Sequence, residues 1–254
     1  MNRILVVVAH PDDETILCGG TLALLARAGA EVHVLCATRG EGGELGEPPL
    51  CERTDLGRVR EQEMRCAVQA LGGINVEFLD YTDPTVGENE VLHPYTDDFD
   101  QLTTCLCDYI QQLRPEAVIT HGSNGEYGHP AHVLTHRAAL AAMPDDVSLY
   151  TFSPSFSAHP RPRLANADDS ADLILDISPV FEKKVAAAQC HRTQNALFVR
   201  RSSKRAGRQL SISEVLMKVE GLHRVSASTN NLSDQLFESL LAPWKRLHDV
   251  ETSA

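Results

Sequence analysis

Residues 3–9 read RILVVVA, a continuous and mostly β-branched run that ends abruptly in His10-Pro11-Asp12-Asp13-Glu14. A short apolar run without alternation marks a strand buried on both faces, as in a parallel sheet covered by helices. Three carboxylates crowded at the end of such a strand repel one another unless a positive charge joins them. The run thus implies both an architecture and a missing cation.

The pattern continues along the chain. GTLALLARAG (20–29) reads as a helix stopped at Gly29, and EVHVLCAT (31–38) as a second strand. Residues 53–72 carry helical apolar spacing up to Gly72-Gly73, and NVEFLDY (75–81) is a third strand. Further helices are expected over 98–113, 130–142 and 179–192, and further strands over 116–122, 148–154 and 172–178. Alternating strands and helices predict a Rossmann-like, doubly wound α/β fold with a mainly parallel sheet and helices on both faces. One domain over residues 1–254 is expected, with a core at about 1–200. Residues 201–254 are read as a basic arm followed by an amphipathic helix (232–247), packed on the core or on a second copy in a homo-oligomer. The basic run Arg200, Arg201, Lys204, Arg205 and Arg208 reads as a solvated arm, with an anion-binding or subunit-contact element as the alternative.

A net charge of −12 disfavours a nucleic-acid partner or an anionic membrane surface. No apolar run approaches the ~18 residues that span a bilayer, and no secretory signal is apparent. The seven cysteines form no C-x-x-C pair and are read as buried free thiols of a cytoplasmic protein. Three long loops, at about 40–52, 82–97 and 154–171, are long enough to carry function.

In an open parallel sheet, ligands bind beyond the carboxyl ends of the strands. The His10–Glu14 cluster lies at that edge. A second cluster, His121-Gly-Ser-Asn-Gly-Glu-Tyr127-Gly-His129-Pro-Ala-His132, follows the fourth strand and can face it. Catalytic zinc takes about three His, Asp or Glu ligands and keeps a position for water. His10 and Asp13 can supply a near pair and His132 a distant third, leaving Asp12 to act on the activated water. Iron or cobalt suits the same ligands. His136 is read as a neighbour of the site rather than a ligand, and Glu14 as a partner of loop backbone or side chains. His121 and His191 stay open. His33, His93, His159, His223 and His248 are read as structural or surface residues.

AHPDDE with a distant GHPAH resembles the PIG-L/LmbE-like zinc-dependent N-deacetylases. GGTLALLARAGAEVHVLCATRGEGGE, RVREQEMRCAVQALGG and KKVAAAQCHRTQ are similar to further segments of that family, so the resemblance covers most of residues 1–200. It implies zinc on His10, Asp13 and His132, Asp12 as general base, and His129 as stabiliser of the tetrahedral intermediate and acid to the leaving amine. It also implies a hydroxyl from Tyr127 for the oxyanion, and Arg60 on the substrate's polar end. The implied reaction removes an N-acetyl group from a small-molecule N-acetylglucosamine-type sugar or conjugate. An amidase acting on a larger thiol or sugar conjugate is the near alternative. From another class comes a non-catalytic nucleotide- or metal-binding module. Acids in the first βα loop speak against a nucleotide, and Asp12 against a silent metal site. The family often has Asp where this chain has Ala131, which leaves the orientation of His129 to be found.

Overall fold

A computed structural model describes residues 2–87, 91–157, 159–226 and 231–246. The elements in chain order are β1 (Arg3–Val8), α1 (Asp13–Ile16), α2 (Gly19–Arg27), β2 (Glu31–Thr38), α3 (Leu56–Gly72), β3 (Asn75–Tyr81), α4 (Phe99–Leu113) and β4 (Ala117–Thr120). There follow α5 (Gly125–Gly128), α6 (Pro130–Ala142), β5 (Ser148–Phe152), β6 (Pro154–Ser155), β7 (Asn166–Ser170), β8 (Leu173–Asp176) and α7 (Phe181–Cys190). The last described elements are α8 (Asn195–Ala206), α9 (Ile212–Val215), β9 (Val219–Ser226) and α10 (Asn231–Leu241).

Seven strands form one sheet in the order β3-β2-β1-β4-β5-β9-β8, and β6 pairs with β7 beside it. β1 to β5 are parallel, as their buried apolar runs require. Two apolar cores lie on opposite faces: α2, α3 and α7 cover one, α4 and α6 the other. The α/β expectation therefore holds.

Three expectations are corrected. First, β9 enters the sheet antiparallel to both β5 and β8, so the core does not end near residue 200. Leu222 of β9 and Phe237 and Leu241 of α10 are buried in the larger core. VEGLHRVS has a glycine and no clean alternation, and only its two neighbours across the sheet make it a strand. Second, the basic run is not an arm but most of α8, with Val199 turned inward. Third, Cys66 and Cys190 form a disulfide, with Cα atoms 5.8 Å apart and a sequence separation of 124. The packing of α3 on α7 brings them together, which residue spacing could not reveal. Cysteine usage therefore no longer argues for a reducing compartment. α10 packs on the core, against α2 and β4, and no described helix is long and apolar enough to cross a membrane. His248 and the end of the expected C-terminal helix lie outside the described residues.

Candidate active site

β1 and β4 are neighbours, so the loops that leave their carboxyl ends meet. The first loop turns sharply at Asp12, whose φ of 119° is strained for a residue with a Cβ. The second contains Glu126 at φ 60° and ψ −69°, also strained, just before α6. Two strained residues in facing loops are what a preorganised site looks like.

Four side-chain atoms of three residues converge there. His10 Nδ1 lies 3.3 Å from His132 Nε2, His10 Nδ1 lies 3.4 Å from Asp13 Oδ2, and His132 Nε2 lies 3.4 Å from Asp13 Oδ1. A tetrahedron with bonds of about 2.05 Å, the length for zinc with nitrogen or oxygen, has edges of about 3.3 Å. The spacing is compatible with a small divalent cation; among the described residues, the groups whose donor atoms all lie within 4.8 Å of one another are His10, His129 and His132, and Asp13, His121 and His132.

The remaining nitrogens set the tautomers. His132 Nδ1 donates to Glu126 Oε2 at 2.6 Å, leaving the Nε2 lone pair facing His10 and Asp13. His10 Nε2 lies 3.2 Å from Asp83 Oδ1, an ion-pair contact without hydrogen-bond geometry, and Nδ1 faces His132 and Asp13. Each imidazole thus has a carboxylate behind it, the arrangement that orients metal-binding histidines and raises their basicity. Burial alone would depress both imidazoles, but Asp13 and Asp83 push His10 up, and Asp13 and Glu126 push His132 up. Burial opposes ionisation of Glu126 and Asp13 as well. The histidines outweigh it and hold both carboxyls well below their usual range.

His121 is not free to ligate. The Ala9 N–H donates to its Nε2 at 3.0 Å, and its Nδ1 donates to Glu126 Oε2 at 3.0 Å. Glu126 is therefore shared by two imidazoles. It also accepts from the Gly122 N–H at 3.0 Å and from Asn166 Nδ2 at 3.2 Å. His136 donates to the His121 carbonyl at 2.9 Å and supports the site from behind. Glu14 is fully buried and accepts from the Asp12 N–H at 2.9 Å, from Thr15 Oγ1 at 2.6 Å and from His191 Nε2 at 3.0 Å. His191 thus braces the strained turn at Asp12.

Ala131 in place of the family's Asp does not leave His129 loose. His129 caps α6, and its Nδ1 accepts the Ala131 N–H at 3.2 Å. The ring stacks on His132 with centroids 4.5 Å apart. Burial, with His10 and His132 beside it, pushes its pKa down to about 3. A neutral imidazole with Nδ1 accepting carries its hydrogen on Nε2. That makes His129 a hydrogen-bond donor and a poor proton donor. Tyr127 stands at the rim, over half exposed, with its ring edge toward His129 and His132.

The Asp12 carboxylate lies 3.3 Å from Arg60 Nη2. Burial raises Asp12 to about 6, with Arg60 pulling it down and Asp13 pushing it up. Arg60 is only 3 % exposed; it donates to the Gly40 carbonyl at 2.9 Å and to the Pro11 carbonyl. A Cβ on Gly40 would come within 2.1 Å of the guanidinium, and one on Gly43 within 2.4 Å. The glycines of RGEGGE therefore make room for Arg60. Two of its donors are used on backbone carbonyls, and Arg60 also lines the cleft beside Asp12.

The site opens into a cleft of about 500 Å³. The 40–52 loop contributes Gly42, Gly43 and Glu44, and the 82–97 loop contributes Asp83, Val86 and His93. His93 is thus an exposed residue on the wall of the cleft. The 154–171 loop acts indirectly: Asn166 Oδ1 accepts from the Glu126 N–H at 3.0 Å, and Asp169 accepts from Ser123 Oγ at 2.5 Å. Sequence spacing had no means of finding Asp83, Asn166 or the role of Glu126. A hint lay in Glu126 standing six residues before a proposed ligand, though many acids do.

A Rossmann-type helix could offer its N-terminus to a phosphate. Here the N–H groups of Gly20 and Thr21 donate to Glu220 at 2.9 and 2.6 Å, and Lys184 Nζ neutralises that carboxylate at 2.6 Å. The α2 N-terminus is closed by the protein itself, which removes the basis for a nucleotide-binding module.

Comparison with known proteins shows the family. A family profile described as PIG-L, GlcNAc-PI de-N-acetylase, matches residues 5–143. A 1D-myo-inositol 2-acetamido-2-deoxy-alpha-D-glucopyranoside deacetylase of Mycobacterium sp. (strain KMS) is 34% identical over 228 residues, covering 76% of this chain and 74% of the relative. The enzyme of the same name from Geodermatophilus obscurus is 38% identical over 155 residues; that match spans 56% of this chain and about half, 53%, of the relative. Among solved structures, GalB, the 4-carboxy-2-hydroxymuconate hydratase of Pseudomonas putida KT2440, superposes with a TM-score of 0.61 at 26% identity, over 91% of this chain and 98% of that one. The profile match covers the loops after β1 and β4 that carry His10, Asp13 and His132, and by that match this chain belongs to the PIG-L family.

Proposed function

We propose that this protein is a metal-dependent hydrolase that removes the N-acetyl group from a small-molecule N-acetylglucosamine-type conjugate. The observation that carries the reading is the set of 3.3–3.4 Å contacts among His10, Asp13 and His132 at the base of a cleft, with a strained, basic Asp12 beside it. His10, Asp13 and His132 would hold zinc or a similar divalent ion. When bound, such an ion acts as a Lewis acid and lowers the pKa of water to about 7. Asp12, with Arg60 on one side, takes the proton from the attacking water. The Nε2–H of His129 and the Tyr127 hydroxyl donate to the oxygen of the acetyl carbonyl as it gains charge. With His129 held neutral, Asp12 is the group placed to carry its proton on to the departing amine. Acetate and a free amine result.

The names of the curated relatives support an N-acetylglucosaminide substrate. The likeness to a hydratase is the one observation favouring a second reading, addition of water to a conjugated C=C bond.

The test is amine release by zinc-loaded protein from free and oligomeric N-acetylglucosamine and from its inositol and malate glycosides, with Asp12→Ala in parallel. The variant is expected to lose a factor of about 10²–10⁴ while retaining metal. Loss of metal together with activity would instead make Asp12 a ligand. Hydration of an unsaturated tricarboxylate, with no amine released from any glycoside, would establish the second reading.

A further inference from the structure

A second groove, of about 780 Å³, lies between α8 and the turn at residues 160–164, and shares no lining residue with the cleft. Arg161 and Arg163 line one wall, and Arg201, Lys204 and Arg205 line the other. Five cations converge in a chain whose net charge is −12.

Among the described residues, none of the five has a carboxylate partner. The flanking arginines do: Arg200 pairs with Glu44 and Glu47 at 2.7 and 2.5 Å, and Arg208 with Glu214 at 2.7 Å. Acids are therefore placed around the groove and not in it. Arg161 is tied to the Val215 carbonyl, which fixes one wall against α9. Burial lowers the pKa of Arg161, with Arg163 adding to it; burial lowers that of Arg163, with Arg201 and Arg205 adding to it. The cations repel one another across the groove.

The plain alternative is that cations near a helix C-terminus complement its dipole. That accounts for Lys204 and Arg205 in the last turn of α8. It does not account for Arg161 and Arg163, which come from another element and raise the repulsion.

We propose that this groove binds a compact anion carrying two or more phosphate groups. Arginine forks match phosphate oxygens in bidentate fashion, and several can share one ligand. The volume suits a small molecule. A long polyanion fits less well, because the surrounding surface is acidic and the groove's field fades within a Debye length of about 8 Å at physiological salt. A phosphorylated metabolite and free pyrophosphate share the chemistry described.

The test is calorimetry on the zinc-loaded protein at about 50 mM salt, where surface fields are weakly screened. The probes are fructose 1,6-bisphosphate, which chelates zinc little, pyrophosphate and inorganic phosphate. Fructose 1,6-bisphosphate should bind about tenfold or more tighter than phosphate, because it engages two sets of charge-assisted bonds. Arg201→Gln with Arg205→Gln should weaken it about tenfold or more, and Arg163→Gln, on an exposed turn of the opposite wall, should weaken it by several-fold. Arg208→Gln removes a charge outside the groove and should change it less than about twofold. Pyrophosphate binding lost in the same variants, and tighter than the bisphosphate, would identify the inorganic source. Equal weakening by Arg208→Gln, or none by the groove variants, would overturn the site. So would tighter binding, through these residues, of a single-stranded oligonucleotide or of anionic lipid vesicles.

Discussion

Two buried carboxylates, Glu126 and Glu220, each sit among polar partners at one sheet's active edge, yet they do different things. Glu220 accepts from two backbone N–H groups, Thr21 Oγ1 and Lys184, and every partner is satisfied within the cluster. Lys184 uses its remaining reach on the Ile16 carbonyl at 3.1 Å. That cluster is closed, and its work is to hold α7 and β9 against the start of α2. Glu126 also accepts from several donors, but two of them are imidazoles, and one, His132, has a second nitrogen pointing away toward His10 and Asp13. A buried charge network becomes a site when its partners still have lone pairs aimed at a common point. Burial and charge by themselves do not distinguish the two.

The largest expected effect that sharpens the contrast is on folding. Glu220→Ala leaves the Lys184 ammonium buried without its partner, which costs about 3–5 kcal/mol. Chemical denaturation should show that loss, while zinc content per folded chain stays at the wild-type value. A variant that lost zinc as readily as stability would mean the two clusters are coupled through α1.

Glu126→Gln should do the reverse. Metal affinity should fall about 10–100-fold, as when a carboxylate behind a ligating histidine is removed. Competition with a chromogenic chelator measures it. An unchanged affinity would place the basicity of His132 elsewhere.

A smaller effect follows from the imidazoles of His10 and His132. Each is pushed above its ordinary pKa by facing carboxylates, against the pull of burial. The sign runs one way: protons on these rings stabilise the chelator-stripped fold below about pH 6.5, and that contribution fades as pH rises through the higher folded values. Metal must displace those protons, so affinity should climb with pH through neutrality and above, with about one or more protons released per ion. Calorimetry in buffers of different ionisation enthalpy counts them. No proton release at neutral pH would contradict the carboxylate-backed histidines. In the closed cluster, Glu220 and Lys184 already neutralise each other, so Lys184→Met should leave the pH dependence of metal affinity unchanged.

The smallest effect lies at the rim. Tyr127→Phe removes one hydroxyl from a residue that is over half exposed, and should lower kcat by about tenfold or less, with KM nearly unchanged. A loss as great as that from His129→Ala would move the main oxyanion donor from His129 to Tyr127.

Much of this was legible before any coordinates. The runs at 3–9 and 31–38 announce buried parallel strands because strand burial leaves a local signature, and the ends of β2, β3 and α6 fall where spacing puts them. His10, Asp13 and His132 could be singled out because strand ends in a parallel sheet share one edge. β9 could not, since a strand with a central glycine and no alternation owes its form to β5 and β8 on either side. Nor could the Cys66–Cys190 disulfide, which joins two helices distant in the chain.

By itself the sequence determined where strands and helices alternate and which acids and imidazoles stand at the active edge, because period and residue type are local properties. Only the tertiary structure decided that Asp83 and Glu126 stand behind His10 and His132, and that His129 is buried beside those two imidazoles with its Nδ1 on the Ala131 N–H. It alone put Arg60 behind Asp12, and Arg161 and Arg163 opposite α8. Those outcomes depend on distances of a few ångströms between residues far apart in the chain, and packing sets such distances.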